Sequence, residues 1–268
     1  MLKNRFVVRI YVQSVGNWSY PLILIRWWIS KKLVPRKKVR LNNLSFTLSC
    51  TNWITHFRWY TFKKKEPETI YFINNFIKDR DIFFDIGANI GVFSIYAAKM
   101  YKNLQVISIE PESSNLSILK ENIVENDLTK QILSYSLAIS DKVGLSKLHL
   151  QDFAPGAALH TENKGQIKFS AEGKRPIVWA EGISTVTLDY FCEETKRVPN
   201  IIKIDTDGNE KKILKGAKIT LKNPALRSII MEMPENESNF CESILINSNF
   251  KKIDYENSKS RNTIWIKK

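Results

Sequence analysis

The chain has 268 residues, of which 43% are hydrophobic and 11% aromatic, enough for one large apolar core or a core with an appendage, which excludes a disordered polymer. The formal net charge of +14 points to a nucleic acid, an anionic membrane surface or an acidic substrate, or to a lysine-rich background, because the lysines are spread along the chain. Cys50, Cys192 and Cys241 are scattered, which gives neither a disulfide framework nor zinc spacing and fits a reducing compartment.

Residues 1–66 read as a basic, aromatic extension. Trp18, Trp27, Trp28, Trp53 and Trp59 alternate with Arg26, Lys31-Lys32 and Arg36-Lys37-Lys38. Arg9 interrupts the first apolar stretch and no small-residue cleavage site follows, so no secretory signal is evident. The longest uncharged run, Ile10–Ile25, contains Gln13, Gly16, Asn17 and Pro21 and is too polar to span a bilayer. A cytoplasmic location is expected. The spacing over Pro21–Ile29 predicts a short amphipathic helix, packed on the main domain or lying on the inner membrane face, with residues 1–40 as the contact. Asn42-Asn43 predicts a hairpin turn between Val39–Leu41 and Leu44–Leu48.

From Pro67 the apolar spacing of Ile70, Phe72, Ile73, Phe76 and Ile77 predicts a helix. The stretch Ile82-Phe83-Phe84-Asp85-Ile86-Gly87-Ala88-Asn89-Ile90-Gly91 then reads as a buried strand, a tight glycine turn and the start of a helix bearing Val92, Phe93, Ile95 and Tyr96. Such a unit presents backbone N–H groups to a nucleotide-like ligand. Leu104–Glu110 is a second strand ending in an acid, stopped by Pro111. Ser113 or Ser114 is expected to cap a helix with Leu116, Leu119 and Ile123 on its buried face. Ile132–Ile139 reads as one strand. Alternating strands and helices predict an α/β fold with a mostly parallel sheet and helices on both faces.

Residues 140–183 break this rhythm. Leu145–Leu150 reads as an added strand, and the polar, Gly- and Pro-punctuated stretch 150–183 as a variable loop facing substrate. The rhythm resumes with Asn200–Asp205, a strand ending in an acid. Thr206–Glu210 and one helix with Ile213, Leu214, Ala217 and Leu221 follow, then the strand Arg227–Glu232 and the helix Ser238–Ile246. Phe250–Tyr255 and Thr263–Ile266, joined by the polar turn 256–262, predict an antiparallel C-terminal edge.

Three apolar strands thus end in carboxylates, Asp85, Glu110 and Asp205. Ligands of open parallel sheets sit outside these strand ends. Glu110 lies 19 positions after Gly91, the spacing at which an acid receives ribose hydroxyls. Only Gly87-x-x-x-Gly91 is present, with Asp85 in front, an arrangement hostile to a pyrophosphate but not to a ligand carrying an ammonium and a sulfonium. S-adenosylmethionine has both, and a ribose for Glu110.

The motifs Asp85–Gly91, Glu110-Pro111, Ala138-Ile139-Ser140-Asp141, Thr187-Leu188-Asp189, Ile202–Glu210 and Leu214-Lys215-Gly216-Ala217 occur in that order. The set resembles the FkbM family of S-adenosylmethionine-dependent methyltransferases over about residues 70–235. The family pattern has glutamate at the position of Asp207 and alanine at that of Asn209. The resemblance implies a Rossmann-like class I methyltransferase fold over 67–268, and methyl transfer to a hydroxyl of a sugar, polysaccharide, glycolipid or natural product. It implies Asp85, Gly87, Asn89, Gly91, Glu110 and Ala138 at the cofactor.

An alcohol acceptor loses a proton, so a positioned base helps. Asp205, Asp207 and Glu210 are the candidates, with Glu232 at the next strand end; Glu210 reads equally as a helix-start stabiliser. His160 reads by default as a solvated loop histidine, or else as a group touching substrate. His56 reads as packing or surface, and His149 receives no role. Asp205 and Asp207 alone do not specify a metal. Nucleic-acid methylation is the competing reading, motivated by the charge; the Asp205–Glu210 stretch lacks the aromatic or cysteine such chemistry uses. A membrane-surface protein with a vestigial cofactor fold is the non-enzymatic alternative.

Overall fold

The computed structural model describes residues 35–268 except 42, 159, 161–168, 171, 172, 175, 234–236 and 256–260; before residue 35 it describes 24–26, 28, 29 and 33. Those six positions are helical, within and just beyond the expected helix over Pro21–Ile29; the rest of that stretch lies outside the described residues. No helix among the described residues is long and apolar enough to cross a membrane.

Residues 36–268 form one compact unit. Strands β1 (Arg36–Leu41) and β2 (Leu44–Ser49) make the predicted hairpin, with Leu41 opposite Leu44. Helices α1 (Trp53–Lys65) and α2 (Pro67–Phe76) follow. The α/β body then runs β3 (Ile82–Ile86), α3 (Val92–Met100), β4 (Gln105–Ile109), α4 (Ser113–Glu125), β5 (Ile132–Tyr135), β6 (Ala138–Ile139) and β7 (Gly144–Leu150). After the short pair β8 (Phe169–Ser170) and β9 (Gly173–Lys174) come β10 (Trp179–Val186), α5 (Leu188–Thr195), β11 (Ile201–Ile204), α6 (Glu210–Lys215) and α7 (Lys218–Lys222). The chain closes with β12 (Ser228–Glu232), α8 (Ser238–Asn247), β13 (Phe250–Ile253) and β14 (Asn262–Lys267).

Seven strands form the central sheet in the order β13-β14-β12-β11-β3-β4-β5. β12, β11, β3, β4 and β5 are parallel, and β14 and β13 add the antiparallel edge. From β3 the order runs outward through β4 and β5, then restarts on the other side with β11 and β12, so the switch point lies between β3 and β11. This is a Rossmann-like α/β sheet.

The strands are buried on both faces, and their period of two sorts the core into two layers. Phe83, Val106, Ile201 and Ile230 pack with α2, α3, α4 and the hairpin; Phe84, Ile107, Ile202 and Ile229 pack with α5, α6, α7 and α8. Each fully buried Phe or Ile here contributes about 1.5–3 kcal/mol.

The division expected at residue 66 falls inside the compact unit. Val39, Phe46, Leu48 and Phe62 belong to the same core as Phe83. The edge of β2 is stitched to α4: Asn122 Oδ1 accepts from Ser49 N–H at 2.7 Å and Asn126 Oδ1 from Thr47 N–H at 2.8 Å.

Other expectations are corrected. The stretch 132–139 is two strands: β5 pairs with β4, whereas β6 pairs with β10 in a second sheet ordered β6-β10-β7. β10 therefore occupies the end of the supposed loop 150–183 and pairs antiparallel with β7. The cap of α4 is Glu112, whose carboxylate accepts from Ser114 and Asn115 N–H at 2.8 and 2.6 Å. A carboxylate there also suits the positive helix start. The helix after Glu210 breaks at Gly216, where a Cβ would run into the Ser140 carbonyl. Asp189 in α5 takes the N–H groups of Ile219 and Thr220 at 2.9 and 2.7 Å, tying α5 to α7.

Candidate active site

Register brings the candidate residues together. Ile86 is level with Ile109 on one side and Ile204 on the other. Gly87, Glu110 and Asp205 therefore emerge side by side at the carboxyl edge of the sheet, at the switch point.

Gly87 has φ +79°, and a Cβ there would collide with the Asp205 carbonyl oxygen; glycine is required on both counts. The N–H groups of Gly87 and Ala88 donate to the Ile109 carbonyl at 2.9 and 3.0 Å. Asn89 turns the chain with φ 51°, and its N–H donates to Glu110 Oε2 at 2.8 Å. Glu110 Oε1 accepts from Glu112 N–H at 3.0 Å. Glu110 is 5% exposed, and burial pushes its carboxyl up to about 7 against the pull of the Glu112 and Asn89 N–H groups. Gly91, with φ +80°, starts α3 against Leu119 of α4, where a side chain would not fit.

Two cavities open on either side of the turn, and Gly87 lines both. The first, about 470 Å³, is walled by Ile109, Pro111, Leu137, Ala138 and Ile139, with His160 and Thr206–Asn209 at its other side. The second, about 450 Å³, is charged: Arg58, Lys65 and Glu66 from the α1–α2 corner meet Asn89, Lys203 and Asp205.

Asp85 lines neither cavity. Its Oδ2 accepts from Ser94 Oγ at 2.5 Å, and its Oδ1 lies 3.7 Å from Lys203 Nζ. Burial raises its pKa, outweighing Lys203 and Ser94. Lys203 reaches on to Asp205 Oδ2 at 3.0 Å. Burial alone would lower the Lys203 pKa, but Asp205, Asp85 and Glu66 raise it above its ordinary value. Burial opposes ionisation of Asp205 too, yet Lys203 holds its carboxyl below the usual range. Glu66 is raised by burial and by Asp205. Lys203 is a charged hub that the sequence reading passed over; a lone lysine inside Ile201-Ile202-Lys203-Ile204, next to an acid, was its signal. Arg58, Lys65 and Glu66 carried no comparable signal.

The loop after β11 is held from below. Glu210 Oε1 accepts from Thr206 N–H, Thr206 Oγ1 and Gly208 N–H at 3.1, 3.0 and 3.1 Å, and Glu210 lines neither cavity. It sets the loop in which Asp207, at φ 56°, reaches the first cavity. Asn209 Nδ2 anchors that loop to the Ile139 carbonyl at 2.7 Å. Glu232 stands opposite Asn262 at the carboxyl end of β12 and lines neither cavity.

A strap from the variable segment crosses the glycine turn. The Ala157 carbonyl accepts from Asn89 Nδ2 at 2.8 Å and Asn115 Nδ2 at 3.2 Å. Gly156 N–H donates to Asn115 Oδ1 at 2.6 Å, and its carbonyl accepts from Arg58 Nε at 2.6 Å. The strap carries His160 into the first cavity, 8% exposed, with neither ring nitrogen hydrogen-bonded. Burial lowers its pKa against Glu112, Asp207 and Asp152, which favours the neutral ring. The default expectation of a solvated histidine is overturned: the bonds of the strap to Asn89, Asn115 and Arg58 pull this part of the loop inward. His56 lies between Trp53 and Trp59, and His149 is buried in β7.

Comparison with known proteins decides the family. Residues 85–256, more than half of the chain, match the methyltransferase FkbM domain. The chain belongs to the FkbM methyltransferase family. It is 26% identical over 152 residues to methyltransferase sdnD of Sordaria araneosa, covering 49% of this chain and 58% of that one. It is 24% identical over 179 residues to 31-O-demethyl-FK506 methyltransferase FkbM of Streptomyces tacrolimicus, covering 59% of this chain and 66% of that one. The chain thus spans less than two thirds of either relative. A solved precorrin-6Y C5,15-methyltransferase of Geobacter metallireducens superposes with a TM-score of 0.44 at 12% identity, covering 76% of this chain and 86% of that one.

S-adenosylmethionine is the cofactor of this FkbM domain, and the site's own chemistry fits it. Glu110 lines neither cavity and stands between Ile109 and Pro111, which line the apolar one; that cavity could hold a purine, and the mixed-charge cavity across Gly87 an amino-acid zwitterion.

Proposed function

We propose that the chain methylates a hydroxyl of a glycan, polysaccharide or lipid-linked glycan. When bound, S-adenosylmethionine supplies a methyl group on a cationic sulfur. Glu110 would hold the ribose diol, Ala138 and Pro111 would flank the purine, and Gly87 would let the ligand cross the turn. Arg58 and Lys65 would face the carboxylate, and Glu66 and Asp205 the ammonium. Asp85 serves this site by fixing Lys203, and through it Asp205.

Asp207 and His160, which line the same cavity as Pro111 and Ala138, would take the proton of an acceptor hydroxyl entering beside the purine. Asp205 is held by Lys203, and Glu210 positions Asp207. A base so placed contributes about 10²–10⁴-fold. The observation that carries the reading is the Glu110 carboxylate bonded to the Asn89 N–H of the glycine turn. A basic chain fits anionic or lipid-linked glycans at the inner membrane face, with residues 1–40 as a peripheral contact.

The test is transfer of labelled methyl groups from labelled donor to a panel of cell-envelope glycans, glycolipids and RNA. Label released from the glycan product by acid and resistant to mild base supports an ether on a sugar. Label confined to RNA contradicts the proposal.

A further inference from the structure

The helix α1 has two working sides. Arg58, Thr61, Phe62 and Lys65 line the charged cavity. The opposite side carries large aromatics into solvent. Trp53 is 75% exposed, Tyr60 is 71% exposed, and Phe57 lies between them, also exposed. Positions 53, 57 and 60 fall at i, i+4 and i+7, one stripe along the helix. The Trp53 and Phe57 rings stand 6.2 Å apart.

The stripe is set among cations. Lys63 and Lys64 continue it, and the neighbouring strand β1 exposes Lys37, Lys38 and Arg40. The groove between α1 and β1 is lined by Lys38, Val39, Arg40, Trp59, Tyr60 and Lys63, with no acid. Lys37 lies over the Trp59 ring at 5.7 Å, and Trp59 Nε1 donates to the Lys38 carbonyl at 3.1 Å. Arg36 is taken by Glu125 at 2.8 Å. Among the described residues no acid forms a salt bridge with Lys38, Arg40, Lys63 or Lys64.

We propose that the outward face of α1, with the exposed cations of β1, docks on an anionic lipid surface. The argument is chemical complementarity. Trp and Tyr rings settle at the headgroup level, where an apolar body and a polar edge are both satisfied, and Phe57 adds apolar area. Lysine stems lie along apolar surface while their ammonium groups reach phosphates. A line of exposed rings set among cations matches an anionic plane. The surface lies outside residues 85–256 that match the FkbM family. Docking does not rest on the methyl-transfer reading. Its consequence does: docking would hold the methyl-transfer site near the bilayer, where a lipid-linked acceptor arrives.

The experiment is cosedimentation of the full chain with phosphatidylcholine vesicles, with and without phosphatidylglycerol. Two variants accompany it, W53A/F57A/Y60A and K38Q/R40Q/K63Q/K64Q. The wild type is expected to bind only the phosphatidylglycerol vesicles and to be released by salt. Each variant is expected to bind at least about tenfold more weakly, with unchanged thermal midpoint and unchanged S-adenosylhomocysteine affinity in calorimetry. That last readout separates failure of docking from failure of the cofactor reading. A wild type that stays in the supernatant overturns the proposal, as do variants that sediment like the wild type, which would leave attachment to residues 1–35. A wild-type dimer in sedimentation velocity that W53A/F57A/Y60A dissolves would assign the face to a second copy instead.

Discussion

The two cavities beside Gly87 are built in opposite ways. One wall of the apolar one is made by residues close along the chain, with Ile109 and Pro111 flanking Glu110 and Leu137 to Ile139 following β5, while His160 and Thr206–Asn209 come from farther along the chain. The charged one is assembled from distant parts, with Arg58, Lys65 and Glu66 arriving from an N-terminal helix pair to meet Lys203 and Asp205. Local chain geometry can specify that wall of the first. The second exists only because the hairpin and α1 pack into the common core. The difference teaches that a family motif describes half of a binding site and tertiary packing completes the other half.

The comparison breaks most severely at the residue both cavities share. G87A places a Cβ against the Asp205 carbonyl at φ +79°, and we expect at least about 2 kcal/mol of destabilisation and no calorimetrically detectable cofactor binding. Wild-type affinity in this variant would mean that the turn does not shape either cavity.

Next in size are the groups on the acceptor side. D207N and H160Q are each expected to lower kcat about 100-fold while leaving S-adenosylhomocysteine affinity within about twofold. The pH profile of the remaining activity should change in each. An affinity loss equal to the turnover loss would place these residues on the cofactor instead.

The charged cavity is tested against the apolar one by choice of ligand. R58Q/K65Q should weaken S-adenosylhomocysteine about tenfold and leave methylthioadenosine, which lacks the amino-acid end, unaffected. Equal weakening of both ligands would show that these cations act on the fold and not on a carboxylate.

Of similar size is the effect of pH. Glu110 has its folded pKa raised to about 7 by burial, so the ligand-free fold favours the protonated acid. That contribution is full below the ordinary carboxyl range and is lost as pH rises through about 7. The thermal midpoint of the ligand-free wild type should therefore fall over this interval, and that of E110Q should not. Ribose binding needs the ionised form as a double acceptor, so affinity should rise about tenfold from pH 6 to pH 8. The E110Q variant should show no such rise.

Much of the α/β body was legible because its strands are short apolar runs closed by an acid or a glycine. Asp85, Glu110 and Asp205 could be aligned from sequence once the strands were known to be parallel. What stayed hidden has a physical cause in each case. Helix α1 carries aromatics on its buried and exposed sides alike, so no amphipathic period marks it. β10 contains Glu181 and Gly182 and buries few residues, which gave the look of a loop. Ser113 and Ser114 are good capping residues, but the turn after Pro111 put the Glu112 carboxylate in position first. For His160, burial depends on four bonds from neighbouring strap residues to Asn89, Asn115 and Arg58, none of them near it in sequence.

The account stands on Glu110 as the acceptor of the ribose diol. Isothermal titration of S-adenosylhomocysteine and methylthioadenosine into wild type and E110A tests this directly. Two charge-assisted hydrogen bonds of about 1.5 kcal/mol each correspond to about a 100-fold loss. We predict that loss for both ligands, in a variant that remains folded by circular dichroism. Unchanged affinity for either ligand in a folded E110A would contradict the account.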